Sequence, residues 1–107
     1  MGFYEDGYKI MLRFAREYLG LRVVELPFTH YDGLLMKGKI GIRENMDFGT
    51  ARKLDTLCHE LSHWYLLRDR PRNLIEHPDP AAERTADIMG RAFQNLLRFL
   101  YMEGMLK

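Results

Sequence analysis

Residues 50–67 read TARKLDTLCHELSHWYLL, and the rest of the chain has to fold around this stretch. Its apolar side chains recur at the three- and four-residue spacing of one helix face: Leu54, Leu57, Cys58, Leu61 and Tyr65. The stretch therefore predicts a packed helix from Thr50 to about Leu67. His59 and His63 lie just over one helical turn apart, so both imidazoles project from the same face and can hold one metal ion.

Glu60 directly follows the first of these histidines, which gives the pattern His-Glu-Leu-Ser-His at residues 59–63. Neutral imidazole suits zinc, and two such ligands leave positions open for a third ligand and a water molecule. Glu60 points to the adjacent side of the helix, where it can reach that water without binding the metal. This is the H-E-x-x-H arrangement of zinc peptidases. The flanking residues are uncharged, whereas two histidines on an exposed helix face would have charged neighbours.

The third zinc ligand has three candidates further along the chain. Asp69 stands where the metzincin pattern places its third ligand, but that pattern needs a glycine where this chain has Leu66. His77 lies in a proline-rich stretch and could swing to the metal. Glu83 fits best, because it lies twenty residues after His63 and near the start of a predicted helix.

Asp87 follows Glu83 by one helical turn, so both carboxylates face the same way. The small residues Ala86 and Gly90 allow this last helix to approach the histidine-bearing helix closely. Asp87 can then accept a hydrogen bond from the non-ligating nitrogen of a zinc histidine and fix its tautomer. The alternative for both acids is a solvated helix face on which they pair with neighbouring arginines.

The remaining segments predict an α+β fold with three main helices and a small sheet of about three short strands. The predicted elements are a helix over 6–19, strands within 21–28, 34–36 and 39–43, and a last helix from about 80 to 102. Gly20 stands where a glycine can end the first helix. A chain of this length buries one modest core, so residues 1–107 are expected to form a single domain.

The composition narrows the classes of partner and the expected location. Sixteen Lys and Arg residues against fifteen Asp and Glu leave a formal charge of +1, which argues against a nucleic-acid binder. The apolar runs are too short to span a bilayer, so we expect no membrane insertion. Glu5 and Asp6 stand where a signal peptide needs apolar residues. A single cysteine, Cys58, fits a reducing compartment, so a cytoplasmic location is expected, and Cys58 itself is expected in the core.

The motif His-Glu-Leu-Ser-His, followed after nineteen residues by Glu-Arg-Thr-Ala-Asp at 83–87, resembles the gluzincin zinc peptidases. The short chain is most similar to the minimal soluble members called minigluzincins, which are related to the catalytic domains of HtpX-type and CAAX-processing membrane peptidases. The resemblance implies that His59, His63 and Glu83 bind one Zn²⁺ per chain and that Glu60 is general base and acid. It also implies that Asp87 contacts His59.

The resemblance further implies a twisted sheet above the active-site helix, with an edge strand within Leu34 to Arg43 that pairs with the substrate backbone. Gluzincins usually supply a side chain to the oxyanion as well. No motif identifies that side chain in this sequence, and its candidates are Tyr65, His77, Arg91 and Tyr101.

The expected function is therefore zinc-dependent hydrolysis of a peptide or protein substrate. One alternative is a non-catalytic domain that zinc stabilises, although such a domain has no use for Glu60. Another is a regulatory peptidase that clips a repressor and shares the same motif. The largely apolar segment from Leu100 to Lys107 could cover the cleft and keep the enzyme latent. The resemblance to minigluzincins implies such latency, since these look like zymogens restrained by their C-terminal segments. The last helix could instead form a dimer. Otherwise the segment completes the packing of that helix.

Overall fold

Three helices and one three-stranded sheet form the fold, which confirms the predicted α+β class. The structure is a computed structural model and describes residues 2–45, 49–67 and 80–106. The helices are α1 (Phe3–Arg13), α2 (Gly49–Leu67) and α3 (Pro80–Met102). A π-helical segment, Phe14–Tyr18, continues α1. Helix α1 begins three residues before the predicted start, and the helical path ends before Gly20, whose φ of 68° is the left-handed conformation expected there.

The sheet consists of β1 (Arg22–Leu26), β2 (Gly33–Met36) and β3 (Lys39–Arg43), in the order β1-β3-β2. The central strand β3 runs parallel to β1 and antiparallel to β2. Gly38 has a φ of 68° in the tight turn between β2 and β3. Strand β1 lies within the predicted stretch 21–28 and is shorter than that stretch at both ends. An edge strand is expected within Leu34 to Arg43. Strand β2 lies at an edge of the sheet and β3 lies at its centre, so only the first part of that range forms an edge.

Helix α2 lies at the centre of the molecule, packed against α1, α3 and the sheet. The sheet turns one face towards it and buries the side chains Val23, Leu35, Ile40 and Ile42. From α2 itself, the buried apolar residues are Leu54, Leu57, Cys58 and Leu61. These four residues lie on the face that the helical spacing predicts. Tyr65, the fifth residue of the predicted stripe, is not in the core: it is 52% exposed and lines an apolar groove. Within the described ranges, no helix combines the length and the apolar character needed to cross a membrane.

Helices α2 and α3 meet almost backbone to backbone, as the small residues of α3 predict. Ala86 and Gly90 are both buried at the contact. A β-carbon added at Gly90 would lie 3.2 Å from the backbone nitrogen of His59. Because this distance is tighter than an ordinary carbon contact, only glycine fits here without a shift of one helix. The backbone that carries His59 is therefore positioned directly by α3.

We predict that Gly90→Ala destabilises the protein although alanine favours helices. The substitution raises helix propensity by about 1 kcal/mol. Overpacking against a helix backbone costs roughly 1–3 kcal/mol, so the net change in the free energy of unfolding is a loss. Thermal unfolding of the two proteins measures it. A Gly90→Ala protein more stable than the parent would show that the two helices are not held in close contact.

Candidate metal centre

Three side chains converge at the end of the α2–α3 contact. His59 and His63 project from α2, and Glu83 projects from the first turn of α3. The Nε2 atoms of the two histidines lie 3.1 Å apart. One carboxylate oxygen of Glu83 lies 3.0 Å from Nε2 of His59, and the other lies 3.1 Å from Nε2 of His63. Two imidazole nitrogens and one carboxylate thus face a common point.

These donor atoms fit a zinc ion. Tetrahedral zinc with ligand distances near 2.0–2.1 Å separates neighbouring donor atoms by about 3.3 Å. The separations of 3.0–3.1 Å among the three side chains are within a few tenths of an ångström of that value. Nitrogen and carboxylate oxygen are also the donors that zinc accepts in catalytic sites. The residues therefore suit zinc in both chemistry and spacing.

His63 is held in the form that a metal requires. Its side chain is almost fully buried on α2. Burial lowers the pKa of His63, because it penalises the charged imidazolium, and His59 acts in the same direction while Glu83 opposes it. The result favours neutral imidazole, whose lone pair can bind a cation.

Asp87 lies behind His59, on the side away from the converging donors. Its Oδ1 is 3.3 Å from Nδ1 of His59, and its Oδ2 accepts a hydrogen bond of 3.4 Å from Nη2 of Arg91. A carboxylate in this position fixes the ring orientation and makes the opposite nitrogen, Nε2, the one that faces a metal. Asp87 and His59 thus make the contact that the family resemblance implies.

Glu60 is buried beside the converging donors and does not join them. Its exposed fraction is 8%, although it is a carboxylic acid. Burial raises the pKa of Glu60 to about 7, with His59 lowering it and Glu83 raising it further. A carboxyl group with a pKa near neutrality can both accept and return a proton at physiological pH. Glu60 is therefore a candidate general base.

Strand β2 passes directly over Glu60, and Gly33 makes this possible. A β-carbon at Gly33 would lie 2.5 Å from Cγ2 of Thr56 and 3.1 Å from Cγ of Glu60. In the sequence, Gly33 follows Tyr31 and Asp32 in a turn-like stretch, and nothing there indicates this approach to Glu60. The available signal is a glycine at the start of an apolar run, because a glycine in a strand can mark a site where another part of the chain approaches closely.

An ion pair holds the start of β2 against α2. The guanidinium of Arg52 donates two hydrogen bonds to Oδ2 of Asp32, at 2.6 and 2.9 Å. Asp32 also accepts a backbone hydrogen bond of 2.7 Å from Arg43 at the end of β3. Asp32 is therefore bound to α2 through its side chain and to β3 through its backbone, which fixes the start of β2 beside the helix that carries Glu60. Sequence reasoning does not identify this pair.

The other predicted site residues are the alternative third ligands and the oxyanion candidates. Asp69 and His77 lie outside the described residues. Tyr101 donates a hydrogen bond to Asp6 of α1, and Tyr65 lines an apolar groove that His59, His63 and Glu83 do not line. Among the described oxyanion candidates, Arg91 reaches the site, through its contact with Asp87.

A scan against protein-family models, a search of curated proteins and a search of solved structures each found no match to this chain. The geometry of the site is therefore the observation on which a functional proposal has to stand.

Metal titrations should rank the carboxylates of the site. We expect Asp87→Asn to weaken zinc affinity by about 10–100-fold, as the loss of a contact behind a metal histidine does. Glu83→Ala removes a donor and should weaken it further. Asp55→Asn is the matched control, because Asp55 is an exposed acid on α2 that accepts a hydrogen bond from Gln94 of α3 and forms no hydrogen bond or ion pair with the histidines. Equal affinity of Glu83→Ala and the Asp55→Asn control would exclude Glu83 as a ligand.

Cys58 should be chemically inert in the folded protein. It is 2% exposed, and burial raises the pKa of its thiol to about 12, with the charge of Asp55 acting in the same direction. We expect no alkylation of the native protein by iodoacetamide at mildly alkaline pH, and complete alkylation after denaturation in guanidinium. Mass spectrometry measures both. Rapid modification of the folded protein would place Cys58 outside the core.

Proposed function

We propose that this chain is a zinc-dependent endopeptidase that hydrolyses peptide bonds in a peptide or protein substrate. In this proposal His59, His63 and Glu83 hold one zinc ion per chain, and Glu60 is the general base and acid. The observation that carries the proposal is the convergence of three donor side chains within 3.0–3.1 Å of one another, next to a buried carboxylic acid outside that set.

Each of these residues has a separate role in the proposed reaction. Zinc held there would supply a Lewis acid that lowers the pKa of a water molecule to about 7 and polarises the scissile carbonyl. Glu60 accepts a proton from the attacking water and then delivers it to the leaving amine. Asp87 holds the ring of His59 so that Nε2 faces the other donors.

The edge of the sheet supports a peptide as the substrate. Among the described strands, β2 pairs with β3 alone, so its second edge is available to an extended chain. Backbone hydrogen bonds along such an edge hold a peptide in an extended conformation. Because Gly33 places β2 against Glu60, a peptide bound along this strand would run past the general base.

The resemblance of residues 59–63 and 83–87 to the minigluzincins points to the same reaction. A cytoplasmic location belongs to this proposal and rests on the single cysteine. The near balance of acidic and basic residues supports a protein substrate over a nucleic acid.

Latency through the C-terminal residues finds little support in the fold. Tyr101 binds Asp6 of α1, and Leu106 packs against the core. Met102 lies nineteen residues after Glu83 on the same helix, which places it about 28 Å away. Tyr101 and Leu106 therefore attach the described tail to α1 and the core, whereas Met102 and Met105 are exposed, and the proposal does not include latency through this tail.

The Glu60→Gln substitution tests the proposal. Glutamine has the shape of glutamate but cannot accept the proton, so we expect zinc content to stay at one per chain while hydrolysis of an unfolded casein-type substrate falls by about 10²–10⁴-fold. Glu17→Gln is the matched control, since Glu17 is exposed on the π-helical segment. It should leave both quantities unchanged.

The same experiment separates the proposal from a zinc site that only stabilises the fold. A parent protein that binds zinc and hydrolyses nothing, or a Glu60→Gln protein as active as the parent, would contradict the catalytic proposal. In either case the structural zinc alternative would replace it.

A further inference from the structure

The outward face of α3 carries an apolar surface that the fold does not use. At about 100° per residue around the helix axis, all charged side chains of α3 fall within one arc of about 100°. These are Glu83, Arg84, Asp87, Arg91 and Arg98. An adjoining arc of about 140° holds no charged residue, and its large side chains are all apolar: Ile88, Met89, Phe93, Leu96, Phe99 and Leu100. The small residues Ala81, Ala82, Thr85 and Ala92 lie in the same arc. We call this second arc the α3 outer face.

Only a neighbouring strip of α3, with Ala86, Gly90 and Leu97, is buried against the rest of the described fold. On the α3 outer face, Ile88 is 67% exposed, Leu96 is 56% exposed and Phe99 is 58% exposed. A helix that packs against one neighbour needs an apolar stripe only as wide as that contact. The apolar arc of α3 is much wider than its buried strip, which is typical of a helix with a second partner.

We infer that the α3 outer face binds the same face of a second copy of this chain, with the two helices antiparallel. In one register of that arrangement, an apolar pair and a pair of opposite charges come level with each other. A twofold axis that crosses between Phe93 and Gln94 places Ile88 opposite Phe99 of the second copy. It also places Arg84 opposite Glu103 of the second copy, at both ends of the contact.

Charge supports this pairing over other occupants, and the exposed apolar area gives the scale of the contact. Arg84 and Glu103 are both exposed and opposite in charge, so the antiparallel arrangement joins them twice. The small Ala92 lies near the centre, where it allows the helices to approach. Taking roughly 200 Å² for a fully exposed large side chain, Ile88, Phe93, Leu96 and Phe99 expose about 400 Å². That is about half of what each partner buries in a standard interface.

An apolar groove borders the α3 outer face and enlarges the contact surface. Its volume is about 370 Å³, and its walls include Met89 and Phe93 of α3 with Trp64 and Tyr65 of α2. The antiparallel twofold arrangement brings the two grooves to the same side of the contact. Glu83 and Asp87 lie on the charged side of α3, so pairing leaves the candidate metal centre accessible. The inference is therefore independent of the proposed function.

Sedimentation of the full-length protein over a range of concentrations tests the inference. We expect a monomer–dimer equilibrium and a loss of the dimer in Leu96→Glu, which puts two carboxylates into the apolar contact. Tyr31→Glu is the matched control: it adds the same charge at an exposed aromatic residue between β1 and β2 and should leave the dimer intact. Circular dichroism should show the same helix content in all three proteins.

Charge exchange then tests the register. Arg84→Glu and Glu103→Arg should each raise the dissociation constant about tenfold through like charges, and the double variant should restore the parent value. Failure of the double variant to restore it would overturn the register. A parent protein that stays monomeric up to about 100 μM would overturn the inference itself. If that monomer sedimented with anionic lipid vesicles, the occupant of the α3 outer face would be a lipid surface and not a second copy.

Discussion

The close contact between α2 and α3 at Gly90 is the constraint on which the rest of the structure depends. The two backbones are so close that a β-carbon added at Gly90 would lie 3.2 Å from the backbone nitrogen of His59. Glu83 lies two turns before this contact and therefore reaches the two imidazoles of α2. If the helices separated by the width of a methyl group, the donor atoms that now lie 3.0–3.1 Å apart could no longer share one ion. Helix packing and site geometry are thus one property of the molecule.

The site also concentrates negative charge that the fold alone does not neutralise. Glu60, Glu83 and Asp87 surround two imidazoles, and Glu60 is buried with its pKa raised to about 7. Arg91 meets Asp87 from the solvent side through a long hydrogen bond of 3.4 Å. A divalent cation held by His59, His63 and Glu83 would supply the missing positive charge. Metal binding should therefore raise the free energy of unfolding as well as supply the chemistry of the site.

The sequence predicts the helices and the members of the site because both depend on local spacing. Apolar periodicity defines α2, and the four-residue interval between His59 and His63 places both rings on one face. The interval from Glu83 to Asp87 does the same on α3. The small residues Ala86 and Gly90 even indicate which face of α3 approaches α2. Each of these inferences needs only the geometry of a single helix.

The sheet order and the role of Gly33 are not predictable in this way. Whether β3 lies between β1 and β2 depends on contacts between strands and with α2, and the apolar pattern within each short strand does not specify its neighbours. Gly33 looks like a turn residue because its neighbours Tyr31 and Asp32 favour a turn. Its contact with Thr56 and Glu60 joins segments far apart in sequence, and only the packed structure shows it.

X-ray absorption at the zinc edge, on the purified protein loaded with one equivalent of zinc, tests the central claim most directly. The structure predicts two imidazole nitrogens and carboxylate or water oxygens at about 2.0–2.2 Å, and no sulfur ligand at about 2.3 Å, since Cys58 lies in the core. A spectrum with a sulfur ligand, or with fewer than two imidazoles, would contradict a metal centre built from His59, His63 and Glu83.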